Sequence, residues 1–295
     1  MTDDRFSIAT AINRSQIVAL RSGGDGLPLF CLPGAGGDAN IFEYMVPALP
    51  EGQPVYGIYM ESLCDVKDGF TIEQLAPFYL ESIQKIQPKG PYYFCGYSFG
   101  GLLAYEMASR LLNDGEEVNL VAMLDAANPA MLSNLSQAEA ADFHKTYLAD
   151  RLKIYAKQLM QGNLRAFTKR GLAFIVPRIG RFFLPVIKTA FRITKTQLPR
   201  VFRANDPGFL KAWKAYVPKR YENDLVIFRV QDRGPEYDRD SSMGWDACVV
   251  GTVHVHTVPG SHVNMMSVPS VHTIANKLTT YLDNGVRLEE ISIII

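Results

Sequence analysis

The sequence predicts an α/β fold in which a mostly parallel central sheet is flanked by helices and interrupted by a long helical insertion. Short apolar runs alternate with amphipathic helical patterns up to residue 128 and again from residue 224 onward. A G-x-S-x-G sequence at residues 96–100 separates one predicted strand from the helix that follows it. Between residues 130 and 215 the alternation stops and the patterns are helical. Together these observations favour an α/β domain with an inserted helical cap.

The individual elements follow from apolar periodicity and from the turn residues that bound each run. Strands are predicted at residues 29–32, 54–58, 91–95, 118–124, 224–230 and 252–258, with 17–20 as a candidate edge strand. Helices are predicted at residues 42–49, 71–86, 102–112, 206–216 and 271–282, and a capping box at Ser136 and Glu139 begins a helix in the insertion. This order predicts an N-terminal extension (1–22), a core in two parts (23–128 and 217–288) and a helical lid (129–216).

The charge distribution of the chain is uneven although its net charge is zero. From Arg151 to Arg203 there are thirteen Lys or Arg residues and no Asp or Glu, so the rest of the chain carries −13. We expect this basic segment to be a surface for an anionic partner, or else a solvated face of the lid.

Composition places the chain among ordinary globular proteins, with 47% hydrophobic and 20% charged residues. The acidic, polar start MTDDRFSIAT does not resemble a signal peptide, so a cytoplasmic location is expected. The apolar stretch at 172–187 contains two arginines and two prolines and is not a predicted membrane span. Four scattered cysteines indicate buried thiols rather than disulfides or a metal site: Cys31, Cys64, Cys95 and Cys248.

Ser98 is the predicted nucleophile. In a strand–turn–helix unit, a serine at the centre of G-x-S-x-G is lifted above the sheet edge, and the glycines avoid collisions between a Cβ and neighbouring backbone. The amide of Phe99 then lies at a helix N-terminus, where it could bind an oxyanion. The alternative is that Ser98 only caps the helix.

The glycine-rich loop Pro33–Gly37 follows the 29–32 strand. It lacks the lysine and the spacing of phosphate-binding loops, so no nucleotide or nucleic-acid partner is expected. In a serine hydrolase the same loop supplies the second oxyanion amide, for which Ala35 is the candidate.

His262 is the predicted general base. It follows the last strand on a loop, whereas His144 lies in the lid and His272 in the final helix. His254 and His256 alternate within a strand; they could form a metal pair, but packing is the favoured interpretation, and no metal or cofactor is predicted.

Two aspartates compete for the acid that would orient His262. Asp125 and Asp232 each end a predicted strand, and Asp232 has the place where most α/β hydrolases put their acid. We favour Asp125, because Asp232 precedes the charged loop RGPEYDRD and could be solvated; the alternative for Asp125 is a turn former. The order Ser98, Asp125, His262 is that of an α/β-hydrolase fold.

From about Ile17 to Leu282 the chain resembles the thioesterase domains of nonribosomal peptide synthetases and polyketide synthases. The segments that carry the resemblance occur in the family's order and spacing. They are LFCLPGAGG, QPVYGI, TIEQLAPFYLESIQKIQP, KGPYYFCGYSFGGLLAYEMA, ANDPGFLKAWKAYVPKRYENDLVIFRV and VPGSHVNMM. In that family the acid follows the strand after the nucleophile helix, which supports Asp125. The long basic insertion departs from the family pattern.

The resemblance implies release of an acyl, peptidyl or polyketide chain from the phosphopantetheine thioester of a carrier protein, through an acyl-serine, by hydrolysis or cyclisation. The carrier protein is expected to dock on the basic lid, 151–203; an anionic membrane surface is the alternative partner. Two other functions stay open, a carboxylesterase or lipase acting on free esters and a non-catalytic acyl-binding module. The chain carries no carrier domain, so it is expected to be free-standing or excised from a synthase.

Overall fold

The predicted fold class is confirmed. The computed structural model describes residues 17–60, 63, 66, 69–133, 207–233 and 240–283. These residues form a seven-stranded sheet in the order β1-β3-β2-β4-β5-β6-β7, in which β1 is antiparallel to β3 and the other neighbours are parallel. The strands are β1 (Ile17–Arg21), β2 (Leu29–Leu32), β3 (Val55–Ile58), β4 (Tyr92–Tyr97), β5 (Val118–Leu124), β6 (Leu225–Val230) and β7 (Val253–Val258).

Five helices are described: α1 (Ile72–Gln84), α2 (Phe99–Asn113), α3 (Pro129–Ser133), α4 (Pro207–Ala215) and α5 (Ser270–Asp283). The predicted helix at 42–49 is wrong, because two short 3₁₀ helices stand there, Ala39–Phe42 and Val46–Ala48. Pro47 disfavours an α-helix here, since its ring would clash with the carbonyl of residue 43. The chain instead closes tighter turns, such as the bond from the Leu49 amide to the Val46 carbonyl at 3.2 Å.

Both faces of the sheet are buried, as expected for parallel strands covered by helices. On β4, Tyr92 and Phe94 face a core that α1, α2 and α4 complete, whereas Tyr93 and Cys95 face a second core formed with α5. This double burial explains why β4 reads as a continuous apolar run. It also holds the carboxyl ends of the strands in place, and the site residues follow those ends.

Residues 17–21, assigned to the N-terminal extension, form the edge strand β1 and belong to the sheet. Of the predicted lid, the structure describes only 129–133 and 207–216, so the basic segment 151–203, the capping box and His144 lie outside the described residues.

Helix α4 packs on the core through Phe209, whose ring lies 5.0 Å from Phe99 and 5.1 Å from Phe70 between centroids.

Within the described ranges, no helix combines the length and the apolar character that crossing a bilayer requires. Cys31, Cys95 and Cys248 are free thiols, and Cys64 lies outside the described residues.

The connection from β4 to α2 is a tight turn that only small residues allow. A Cβ on Gly96 would lie 2.3 Å from the Gly100 carbonyl oxygen, and one on Gly100 would lie 2.2 Å from the Leu32 carbonyl oxygen. Both obstacles are backbone atoms, which cannot rotate away as a side chain could. The glycines are therefore required by the close approach of β2, β4 and α2.

We predict that Gly96→Ala lowers the free energy of unfolding by more than about 2 kcal/mol, because the added methyl overlaps fixed backbone. Urea denaturation measures this change. The matched control is Gly52→Ala, since a Cβ at Gly52 meets nothing within 4 Å, and its effect should stay within about 0.5 kcal/mol. Equal stability of the two variants would contradict this account of the turn.

Candidate active site

Ser98 occupies the turn between β4 and α2 in a conformation that L-residues rarely adopt, with φ 52° and ψ −117°. Its amide donates to the carbonyl of Leu124 at 2.9 Å, which ties the turn to the end of β5. The side chain makes no capping hydrogen bond to α2, so the alternative in which Ser98 serves only as a helix cap is not what the structure shows. Ser98 is partly exposed, and a partly exposed serine in a strained turn is typical of a nucleophile.

Asp125 follows β5 directly and is also held at positive φ, 51°. Its side chain is fully buried. Its amide donates to the Phe228 carbonyl at 2.7 Å, and its Oδ1 accepts from the Val230 amide at 3.2 Å. Strand β6 therefore holds Asp125 in place, although the residue directly follows the neighbouring strand β5.

The structure brings Asp125 and His262 together across 137 positions of sequence. The Nδ1 atom of His262 lies 2.6 Å from Oδ2 of Asp125. Asp232, the competing acid, is exposed, and no hydrogen bond or ion pair joins it to His262 among the described residues. Its amide instead donates to the Gly260 carbonyl at 2.9 Å, so Asp232 anchors the start of the His262 loop through its backbone.

Asp125 is ionised at neutral pH despite its burial. Burial by itself would raise the pKa of Asp125, but the Arg233 guanidinium and the hydrogen bond with His262 outweigh it and lower the pKa to about 2. Asp125 is thus an anion, and its Oδ2 atom can only accept a hydrogen bond from His262. The His262 proton that faces it is accordingly the one on Nδ1, which leaves Nε2 able to take a proton.

Tyr97, the residue before Ser98, makes two contacts with His262. Its ring stacks on the His262 imidazole with 5.1 Å between centroids and 23° between planes. Its hydroxyl also donates to the His262 carbonyl at 2.6 Å. Since Tyr97 precedes Ser98, this double contact couples the position of the imidazole to the turn that carries Ser98.

The two candidate oxyanion amides lie on different elements. Phe99 is the first residue of α2 and is buried, whereas Ala35 is exposed in a loop closed by the bond from the Gly37 amide to the Gly34 carbonyl at 3.0 Å. This loop runs beside Ser98, because a Cβ on Gly34 would lie 3.3 Å from the Ser98 Cβ. The arrangement places the Ala35 loop next to the turn of Ser98.

His272 lies exposed in α5, and the two strand histidines have other partners. His254 Nε2 lies 3.4 Å from Asp224 Oδ2, and His256 Nε2 lies 2.6 Å from the Tyr281 hydroxyl. No cluster of three or more metal-ligating side chains occurs in the described part of the chain. His254 and His256 therefore take part in polar packing between β6, β7 and α5.

Sequence reasoning missed Arg233 and Tyr97. The adjacency of Tyr97 to Ser98 was a weak signal, because an aromatic residue at the end of a buried strand usually only fills the core. Arg233 gave no signal of its own, since it stands in a charged loop where arginines are usually solvated.

The chain matches known proteins along most of its length. The family model for the thioesterase domain matches residues 27–280. The chain is 30% identical over 265 residues to the non-reducing polyketide synthase crz7 of Cladonia metacorallifera, and 36% identical over 289 residues to malpibaldin synthetase of Mortierella alpina. These matches cover 86% and 96% of this chain but 12% and 4% of the relatives, which are far longer.

Solved structures show the same fold. The NocB thioesterase domain, in covalent complex with a fluorophosphonate nocardicin G analog, aligns with TM-score 0.60 and 18% identity, over 91% of this chain and 99% of that one. The Vlm2 thioesterase domain bound with a dodecadepsipeptide aligns with TM-score 0.58 and 19% identity, over 90% and 97%. Since the family model spans well over half of the sequence, the chain belongs to the thioesterase domain family.

Proposed function

We propose that this chain is a serine thioesterase that releases an acyl, peptidyl or polyketide chain from the phosphopantetheine thioester of a carrier protein. The observation that carries the proposal is the 2.6 Å contact between His262 Nδ1 and the buried Asp125 Oδ2, together with the stacking of His262 on Tyr97, the residue before Ser98. An imidazole oriented by a carboxylate can activate a serine, which is otherwise a weak nucleophile at neutral pH. Membership of the thioesterase family supplies the thioester as the class of substrate.

In the proposed first step, Nε2 of His262 takes the Ser98 proton while Oγ forms a bond to the thioester carbonyl carbon. The resulting oxyanion accepts hydrogen bonds from the amides of Phe99 and Ala35. Collapse of the tetrahedral intermediate breaks the carbon–sulfur bond, and His262 returns the proton to the pantetheine thiol. An acyl-Ser98 and a free thiol result.

In the second step, an incoming nucleophile gives its proton to His262 and attacks the carbonyl carbon of the acyl-Ser98 ester. Collapse of this intermediate breaks the bond between that carbon and Ser98 Oγ, and His262 returns the proton to Oγ. Water as the nucleophile yields a free acid, and a hydroxyl or amine within the acyl chain yields a ring. Asp125 stays ionised throughout and stabilises the imidazolium that forms in each step. None of these steps uses a cofactor.

The proposed macromolecular partner is an acyl or peptidyl carrier protein. The relatives are named as synthases and synthetases and are far longer than this chain, which supports delivery of the substrate by a neighbouring domain or protein. Docking on the basic segment 151–203, or contact of that segment with anionic lipid, stays a prediction because those residues lie outside the described ranges.

We predict that the protein turns over an acyl-pantetheine thioester with a higher kcat/KM than the matched oxyester, and that Ser98→Ala lowers kcat by roughly 10⁴-fold to 10⁶-fold. Release of free thiol measures the first reaction and release of alcohol the second. Ser82→Ala, which alters a partly exposed serine on α1, is the matched control and should keep wild-type kinetics. A preference for the oxyester would favour a carboxylesterase, and failure of Ser98 to react with a fluorophosphonate would favour a binding module.

A second prediction concerns the acid. Asp125→Asn should lower kcat by about 10⁴-fold, because the amide leaves the imidazole in the wrong tautomer to accept the serine proton. Asp232→Asn changes the competing carboxylate and should stay within about twofold of wild type, since surface substitutions away from such sites have small effects. Thiol release by the purified variants gives both values. The opposite ranking would move the acid to Asp232.

A further inference from the structure

The loop after β6 supplies a cation to the candidate site. The Nη1 atom of Arg233 lies 2.7 Å from Oδ1 of Asp125 and 2.9 Å from the backbone carbonyl oxygen of the same residue. The Arg233 side chain is 16% exposed and that of Asp125 is fully buried, so the ion pair is largely withdrawn from water. Such a pair is screened far less by solvent and salt than a surface pair.

The two contacts of Arg233 restrict the side chain of Asp125. One guanidinium nitrogen donates both to the carboxylate and to the backbone carbonyl of the residue, which fixes the carboxylate relative to its own backbone. Oδ1 is thereby shared between Arg233 and the Val230 amide, while Oδ2 lies against His262. Oδ1 therefore anchors the carboxylate, and Oδ2 orients the imidazole.

We propose that Arg233 is a positioning residue of this active site, which fixes the Asp125 carboxylate in the rotamer that presents Oδ2 to His262. The inference rests on the proposed function. A neutral imidazole cannot balance a buried carboxylate, whereas the guanidinium balances it permanently. The anion is therefore in place before His262 becomes charged, so the carboxylate need not reorient during the reaction.

The test compares three variants by thiol release from an acyl-pantetheine thioester. Arg233→Gln should lower kcat by about 100-fold and leave KM within about threefold, because misplacing a group near the chemistry slows the reaction without removing substrate contacts. Arg233→Lys retains the charge and a donor nitrogen on a side chain of different shape, and should recover part of the loss in kcat. Arg220→Gln removes an exposed arginine that pairs with Glu222 and should behave as wild type.

A double-mutant cycle separates positioning from a purely structural role. In the Asp125→Asn background the acid is already lost, so adding Arg233→Gln should lower kcat by less than about threefold more. A 100-fold loss in both backgrounds, or a loss of kcat/KM that comes from KM alone, would overturn the proposal.

If Arg233→Gln does not fold, as judged by thermal denaturation, Arg233→Lys decides: wild-type kcat in that variant overturns the proposal. Failure of the proposed function is distinguishable, because the wild-type protein would then release no thiol, and the inference would fall with it.

Discussion

The need to pair a fully buried carboxylate governs the arrangement of this site. Taking an ionised carboxylate out of water costs several kcal/mol unless charges and hydrogen-bond donors replace the lost hydration. Asp125 receives these partners from three directions, the Val230 amide, the Arg233 guanidinium and the His262 imidazole. Satisfying one side chain thus fixes the end of β6, the loop after it and the loop after β7.

Backbone hydrogen bonds connect the residues after β4 and β5 to the neighbouring strands β5 and β6. The amide of Ser98 donates to the Leu124 carbonyl at the end of β5, and the amide of Asp125 donates to the Phe228 carbonyl in β6. Ser98 and Asp125, each held at positive φ, are two of three such non-glycine residues in the described part of the chain. Unfavourable φ values cost of order 1–3 kcal/mol each and persist where surrounding contacts over-determine them. Here two of the three are residues that carry the proposed chemistry, and the third is Met243.

Local pattern predicted much of this architecture. The strands at 29–32 and 118–124 match their predicted bounds, because apolar runs between turn residues are read locally. The turn at Ser98 was predictable from the glycines on either side, whose necessity is steric. The helix at 42–49 was mispredicted because its apolar pattern was weighed above the effect of Pro47.

Asp125 and Asp232 could not be separated by position alone, since both end parallel strands. Tyr97 and Arg233 depend on packing between segments far apart in sequence, which local pattern does not encode.

The central claim is that Ser98 carries the acyl chain between the two halves of the reaction. Intact-protein mass spectrometry after mixing with an acyl-pantetheine thioester tests it most directly, since the covalent intermediate adds the mass of the acyl group. The account predicts one acyl adduct on the wild-type protein, located on the peptide that contains Ser98, and none on Ser98→Ala. An adduct of the same mass that persists in Ser98→Ala would contradict the account.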